Sequence, residues 1–221
     1  MISRKFLILL GIDTVTNSCS VALRLCDDTI LERHQVEPRG HSNLVLPMTE
    51  SLLLEAKITL DDLDAVAFDS GPGSFTGIRI GLGVAQGLAL ALKLPLLGVS
   101  SLMALAEGAD AQSVFPAIDA RMSELYWGRL TKDKQSKSGW VWRDGPETSG
   151  FTSLPHPLPD EVAIGSGWDL YSEEIVLHNA DQIIRGIEPR AEWIVKVAAR
   201  MIERGHDSHI AALPTYIRNS I

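Results

Sequence analysis

The chain has 221 residues, 45% of them hydrophobic, and a formal net charge of −8. That size supports one large core or two small ones of about 100 residues each. The basic residues are scattered, which excludes an extended phosphate-binding face and leaves any nucleic acid to be held mostly by another chain. No apolar run approaches the ~20 residues of a bilayer-spanning helix, since Lys93 and Pro95 end the longest one, so a soluble, cytoplasmic protein without membrane contact is expected.

The opening MISRKFLILLGID has a short apolar run and no small-residue cleavage site, and so predicts a strand over 6–13 rather than a signal peptide. Strands over 18–26 and 29–36 follow. Cys19 and Cys26 fall on opposite faces, cannot bridge each other, and are expected as buried, reduced thiols. A helix over 42–56 places Leu44, Val45, Met48 and Leu52 on one side and Leu46 and Leu53 on a second; Pro47 lies near its first turn or kinks it. Thr59 is placed to cap one turn reaching Asp62, ahead of a strand over 65–68.

Residues 65–92, AVAFDSGPGSFTGIRIGLGVAQGLALAL, join that strand through a Gly/Pro/Ser/Thr turn to a helix from about Gly77 to Leu92. At ~100° per residue Ile80, Val84, Leu88 and Leu92 share a face expected to pack on a sheet. The opposite face has only Arg79 and Gln86 as polar residues, flanked by Leu82, Gly83, Ala89 and Leu90. A helix apolar nearly all round is covered on both sides, and Gly83, Gly87 and Ala91, spaced by one turn, let another helix approach closely. Either a second layer of this chain or a partner supplies that cover. The wide apolar arc of helix 42–56 favours a partner, with Leu44, Val45, Met48 and Leu52 of the first helix and Arg79, Leu82, Gly83, Gln86 and Leu90 of the second as the candidate surface.

After a strand over 95–99 the pattern repeats weakly. Ile12-Asp13, a turn and SVALRL are answered by Ile118-Asp119, a turn and LYWGRL, and DAVAFDSG at 64–71 by DEVAIGSG at 160–167. A duplication explains both matches and divides the chain into lobes 1–112 and 113–221, each an α/β unit with a mixed sheet. The second lobe is reduced: a hairpin loop around KDKQSKSG, an edge strand at WVWR, an irregular crossover through LPHPLPD, and one good helix from Pro189 to Arg204 stopped by Gly205.

The turn Gly71-Pro72-Gly73-Ser74-Phe75-Thr76-Gly77 invites an anion at the helix start, yet it lacks the Lys-Ser/Thr of a P-loop and the spacing GxGxxG. Ser74 or Thr76 serves equally as an ordinary N-cap. Asp13 and Asp119 at equivalent strand ends, with Thr14, Gly71, Gly73, Gly165 and Gly167, mark where a duplicated protein binds a nucleotide between its lobes, here a vestigial site because Val15 crowds the phosphate approach. Of the histidines, His34, His41, His156, His178, His206 and His209, none forms a helical metal-binding pair, since Val45 stands four after His41. No metal site and no catalytic residue are assigned.

GIDTVTNSCSVAL (11–23), the helix with His41 and Leu46-Pro47, SGPGSFTGIRIGLGVAQGLAL (70–90), GVSSL (98–102), AIDARMSELYWGRL (117–130), AIGSGW (163–168) and the stretch Pro214 to Asn219 together resemble the TsaB (YeaZ) family of bacterial tRNA-modification proteins. The resemblance implies a duplicated actin-like, RNase H-like fold and a subunit without catalysis of its own. Its implied partners are TsaD, which transfers a threonylcarbamoyl group from its adenylate to N6 of the adenosine beside the anticodon, and the ATPase TsaE. It further implies docking on TsaD through the first two helices, a homodimer in isolation, tRNA reached only through the complex, and ATP used by the complex with no cofactor bound by this chain alone. His41 without a second histidine repeats the family's lack of TsaD's metal-binding pair, and a protease reading finds no support in these residues. Two competing expectations are an autonomous nucleotide-dependent phosphotransferase of the sugar-kinase class and a small anion-binding module built on 71–77.

Overall fold

The computed structural model describes residues 7–170, 182–205, 213–215 and 217. Strands β1 (Leu9–Asp13), β2 (Ser18–Arg24), β3 (Ile30–Val36), β4 (Ala65–Asp69) and β5 (Leu96–Val99) form a sheet of order β3-β2-β1-β4-β5. Strands β6 (Ser113–Arg121), β7 (Glu124–Lys132), β8 (Trp140–Gly150), β9 (Glu161–Ile164) and β10 (Ile183–Ile184) form a second, read from its other edge as β8-β7-β6-β9-β10. In each, an antiparallel meander of three strands continues into two parallel ones. The two sequence matches thus align β1 with β6 and β4 with β9, and the expected duplicated actin-like α/β fold is the one adopted.

Strands β1, β2 and β4 are buried along their whole length, as nearly continuous apolar runs require when a sheet is covered on both sides. Alternate residues divide between two layers. Leu10, Ile12, Val21, Val66 and Phe68 meet α1 (His41–Ala56) and α2 (Phe75–Leu92), while Leu9, Ala65, Ala67 and Leu97 meet α5 (Ala191–Glu203). Helix α3 (Ser101–Gly108) leaves the first half to lie on β6 and β7 and against α5. The lobe boundary at 112 and 113 therefore follows the repeat but not the packing, because each half lends a helix to the other's core. A salt bridge fastens this exchange: Arg200 of α5 holds both carboxylate oxygens of Glu107 at the end of α3, and Trp140 Nε1 donates to the same carboxylate at 2.9 Å.

Several local expectations shift. Helix α2 starts at Phe75, and its fully buried face is Ile78, Gly81, Ala85 and Ala89; Ile80, Val84, Leu88 and Leu92 are only half-buried along its flanks. Small residues face the sheet because the turn before the helix sits against β1, where a Cβ on Gly77 would come within 2.0 Å of the Thr14 carbonyl oxygen. By length and composition alone α2 could cross a bilayer, but its narrow side lies on β4. Pro47 lies inside α1, and Pro189 precedes α5 by two residues. Cys19 is buried, whereas Cys26 is exposed because β2 ends at Arg24 and Cys26 falls in the following turn. Thr59 and Asp62 form the expected capping box, with the Thr59 N–H and hydroxyl both donating to Asp62 Oδ2. Gly205 takes φ +71° just after α5, as a helix stop does. His178, His206, His209 and the Tyr216, Arg218 and Asn219 of the closing motif lie outside the described residues.

Candidate functional site

The two halves enclose a cleft of about 1580 Å³. Gly73, Ser74 and Thr76 of the glycine-rich turn line one wall, and Asp119 and Ser166 of the second half line the other. The structure brings these residues to one cleft, whereas Asp13, Thr14, Gly71, Gly165 and Gly167 do not line it, and the geometry turns several of the polar groups inward. Ser74 caps α2, its Oγ accepting from Gly77 N at 3.2 Å, and its own N–H donates to the Val15 carbonyl at 2.7 Å. Val15 is buried, and a Cβ on Gly73 would lie 2.9 Å from the Val15 Cβ, so Gly73 is the residue that lets the turn pack against Val15. Thr14 is buried with its hydroxyl donating to the Gly77 carbonyl at 2.7 Å. Gly71 requires its positive φ of +93°. Gly165 and Gly167 serve close packing on β6: a Cβ would approach the Ala117 carbonyl oxygen to 2.4 Å at Gly165 and the Ala117 Cβ to 3.0 Å at Gly167. Asp119 accepts from Arg121 N at 2.8 Å and lies 3.6 Å from the Arg121 guanidinium. In this turn the N–H groups of Gly71, Ser74 and Gly77 are engaged within the fold, and the opposite wall holds the Asp119 carboxylate beside Arg121.

The outward face of α2 is different in kind. Arg79, Gly83, Gln86, Gly87, Leu90 and Ala91 are exposed, Leu90 at 79%. Around Gly83 and Gly87 an added Cβ would meet nothing within 4 Å. This stripe runs from the rim of the cleft, where the Arg79 guanidinium stacks on the Phe75 ring at 3.1 Å, to the C-terminal end of the helix. Leu82 is half-buried against the first core and forms a margin of the stripe. On α1 the expected surface is corrected: Val45, Met48 and Leu52 are buried among β-sheet side chains, Leu44 is half-buried, and the exposed apolar residues are Leu46 and Leu54. Periodicity marked two apolar stripes on α1 without saying which faced the sheet. Phe75, at 62% exposure, joins the exposed residues because α2 begins two residues ahead of the Gly77 start that the sequence predicts.

The Escherichia coli tRNA threonylcarbamoyladenosine biosynthesis protein TsaB is 38% identical over 230 residues, spanning 96% of this chain and 95% of that protein. The chain belongs to the TsaB family. A Haemophilus influenzae TsaB is 34% identical across 97% of the chain. A Pseudomonas aeruginosa crystal structure, described as an uncharacterized protein with similarity to the peptidase YeaZ, superposes with a TM-score of 0.86 at 37% identity, covering 96% of this chain and 100% of that one. A family model for TsaD, tRNA N6-adenosine threonylcarbamoyltransferase, matches residues 34–139. That segment contains both α1 and α2, so the region shared in sequence with TsaD is the one that carries the exposed stripe of this TsaB-family chain.

Asp13, expected at the nucleotide site, is instead fully buried, and so is Asp69, which was not singled out from the sequence. Asp13 and Asp69 end β1 and β4, and both are buried. Burial, and for Asp13 the neighbouring Asp69, raises both carboxyls, Asp69 to about 7. The signal was available: two adjacent parallel strands each finish an apolar run with an aspartate.

Proposed function

We propose that this chain is a non-catalytic subunit of a tRNA threonylcarbamoyladenosine biosynthesis complex, and that it acts by docking a TsaD-type transferase on the outward face of α2. The observation that carries this reading is the open space around Gly83 and Gly87 on a helix whose exposed residues are mainly small or apolar. Backbone-close helix packing needs such positions, and solvation alone gives no reason for them. Leu46 and Leu54 of α1, which touches α2, extend the apolar area. The same surface serves a homodimer when TsaD is absent, because an exposed apolar stripe associates with whatever complementary helix is available. TsaE joins the assembled complex, ATP is consumed there and not by this chain alone, and tRNA is contacted through the complex, in keeping with a net charge of −8. A partner role is favoured over catalysis by this chain alone because Val15 is buried in the turn and Gly71 N, Ser74 N and Gly77 N are engaged within the fold, which leaves a nucleotide-dependent phosphotransferase fewer phosphate donors.

Size-exclusion chromatography of the chain with TsaD tests the proposal. Unmodified chain and TsaD elute together, and Gly83→Trp elutes apart while keeping its folded circular dichroism spectrum. Continued co-elution of a folded Gly83→Trp would remove α2 from the interface.

A further inference from the structure

The β1–β4 register pairs Ile12 with Phe68, which places Asp13 and Asp69, both buried, at the next rung of adjacent parallel strands with their side chains on the same face of the sheet. Each carboxyl also ties down another layer. Asp13 accepts from Val15 N at 3.1 Å and from the Ser20 hydroxyl at 3.3 Å, and Ser20 Oγ in turn accepts the Ala191 N–H at 2.9 Å, at the first turn of α5. Asp69 Oδ1 accepts from Gly71 N at 2.8 Å and from the hydroxyl of Ser101, the first residue of α3. Asp69 Oδ2 is buried and has no hydrogen-bond partner. Two carboxylate oxygens cannot bond each other unless a proton lies between them, and two buried anions side by side cannot both stay ionised.

We propose that Asp13 and Asp69 retain a shared proton and that this protonated pair is a pH-sensitive latch, holding the starts of α3 and α5, the two exchanged helices, against the carboxyl ends of β1 and β4. Among the described residues the titratable groups around it offer no countercharge: Glu188, on the segment leading into α5, adds negative potential, and the Cys19 thiol of β2 is itself pushed up, to about 12, by burial and by Asp13. His41 of α1 places its Nε2 on the Ser18 carbonyl of β2. Helices α3 and α5 present a hydroxyl and an amide to the pair, and α2 reaches the same strand end through Thr14.

The sign follows from linkage. A carboxyl raised in the folded state favours folding while it keeps its proton, fully so below the unfolded value near 4, and that contribution is lost as pH rises through the folded value of about 7. Denaturant unfolding of the full chain and of Asp69→Asn at about pH 5 and about pH 8 reads it out: relative to the variant, the unmodified protein loses about tenfold or more in its folding equilibrium at the higher pH. Hydrogen exchange at the Ala191 amide, corrected for intrinsic rate, accelerates over the same range in the unmodified protein only. Parallel profiles for the two proteins would overturn the proposal. Should Asp69→Asn fail to fold, the infrared spectrum of the unmodified protein decides: a buried protonated-carboxyl band near pH 6 that fades toward pH 8 supports the latch, and no such band overturns it.

Discussion

Replacing Gly83 and Gly87 by alanine acts in opposite directions on the free chain and on its complex. Both glycines lie within the 18-residue helix α2, and an added Cβ at either meets no atom within 4 Å. With nothing to clash, only the backbone term remains, and glycine-to-alanine in a helix interior is worth about 1 kcal/mol per site. The double variant is therefore about 2 kcal/mol more stable as an isolated monomer, and its melting temperature rises by about 4–8 °C for a chain of this size. In the complex the same two methyl groups hold the partner helix away, and a gap of a fraction of an ångström forfeits much of the local dispersion energy. Thermal denaturation at low protein concentration and size-exclusion chromatography with TsaD measure the two effects on one preparation: higher melting temperature, weaker association. A lower melting temperature would mean that the stripe is already covered. Unchanged association of both this variant and Gly83→Trp would mean that the stripe is not where the partner sits. Leu82→Glu cannot replace these variants, because Leu82 packs on the chain's own core and its loss would weaken fold and complex together.

Glu107→Gln costs about 3 kcal/mol in denaturant unfolding, because it leaves the Arg200 guanidinium without its charge partner between α3 and α5, whereas Glu192→Gln on the partly exposed side of α5 stays within about 0.5 kcal/mol. Burial raises the Glu107 carboxyl, but the hydrogen bonds and charge of Arg200 outweigh it and hold it below the ordinary value of 4.5; the pair's contribution is thus present above that value and lost as pH falls through the folded one. Val15→Gly removes a buried side chain at a cost of about 3 kcal/mol and confers no saturable ATP binding in calorimetry, since Ser74 N and Gly77 N remain engaged. Saturable binding would revive the phosphotransferase reading. A thiol reagent labels Cys26 in the native protein and spares Cys19, which is buried and raised to about 12; modification of both at equal rates would contradict the packing of β2.

The sequence by itself determined the order of elements from β1 to β5, the duplication and the existence of an α2 with too few polar residues to be finished by solvent; α3, which follows β5, is not among its expectations. Those properties are local: a run such as AVAFD, a turn such as SGPGS and a repeat of DAVAFDSG carry their periods and breakers in consecutive residues. Which apolar stripe faces inward is not local. Spacing put Val45, Met48 and Leu52 on one stripe and Leu46 and Leu53 on another, and the docking of α1 on β2 buried the first set and Leu53 while leaving Leu46 exposed. The sheet likewise selected Ile78, Gly81, Ala85 and Ala89 over Val84 and Leu88, and the close seat of α2 beside Thr14 requires glycine at 77 and 81. Neither the exchange of α3 and α5 between the halves nor the meeting of Asp13 with Asp69, 56 residues apart in sequence, is written in any window of the chain. Tertiary structure decided them, because parallel strand pairing joins segments whose separation is set by a crossover and not by spacing.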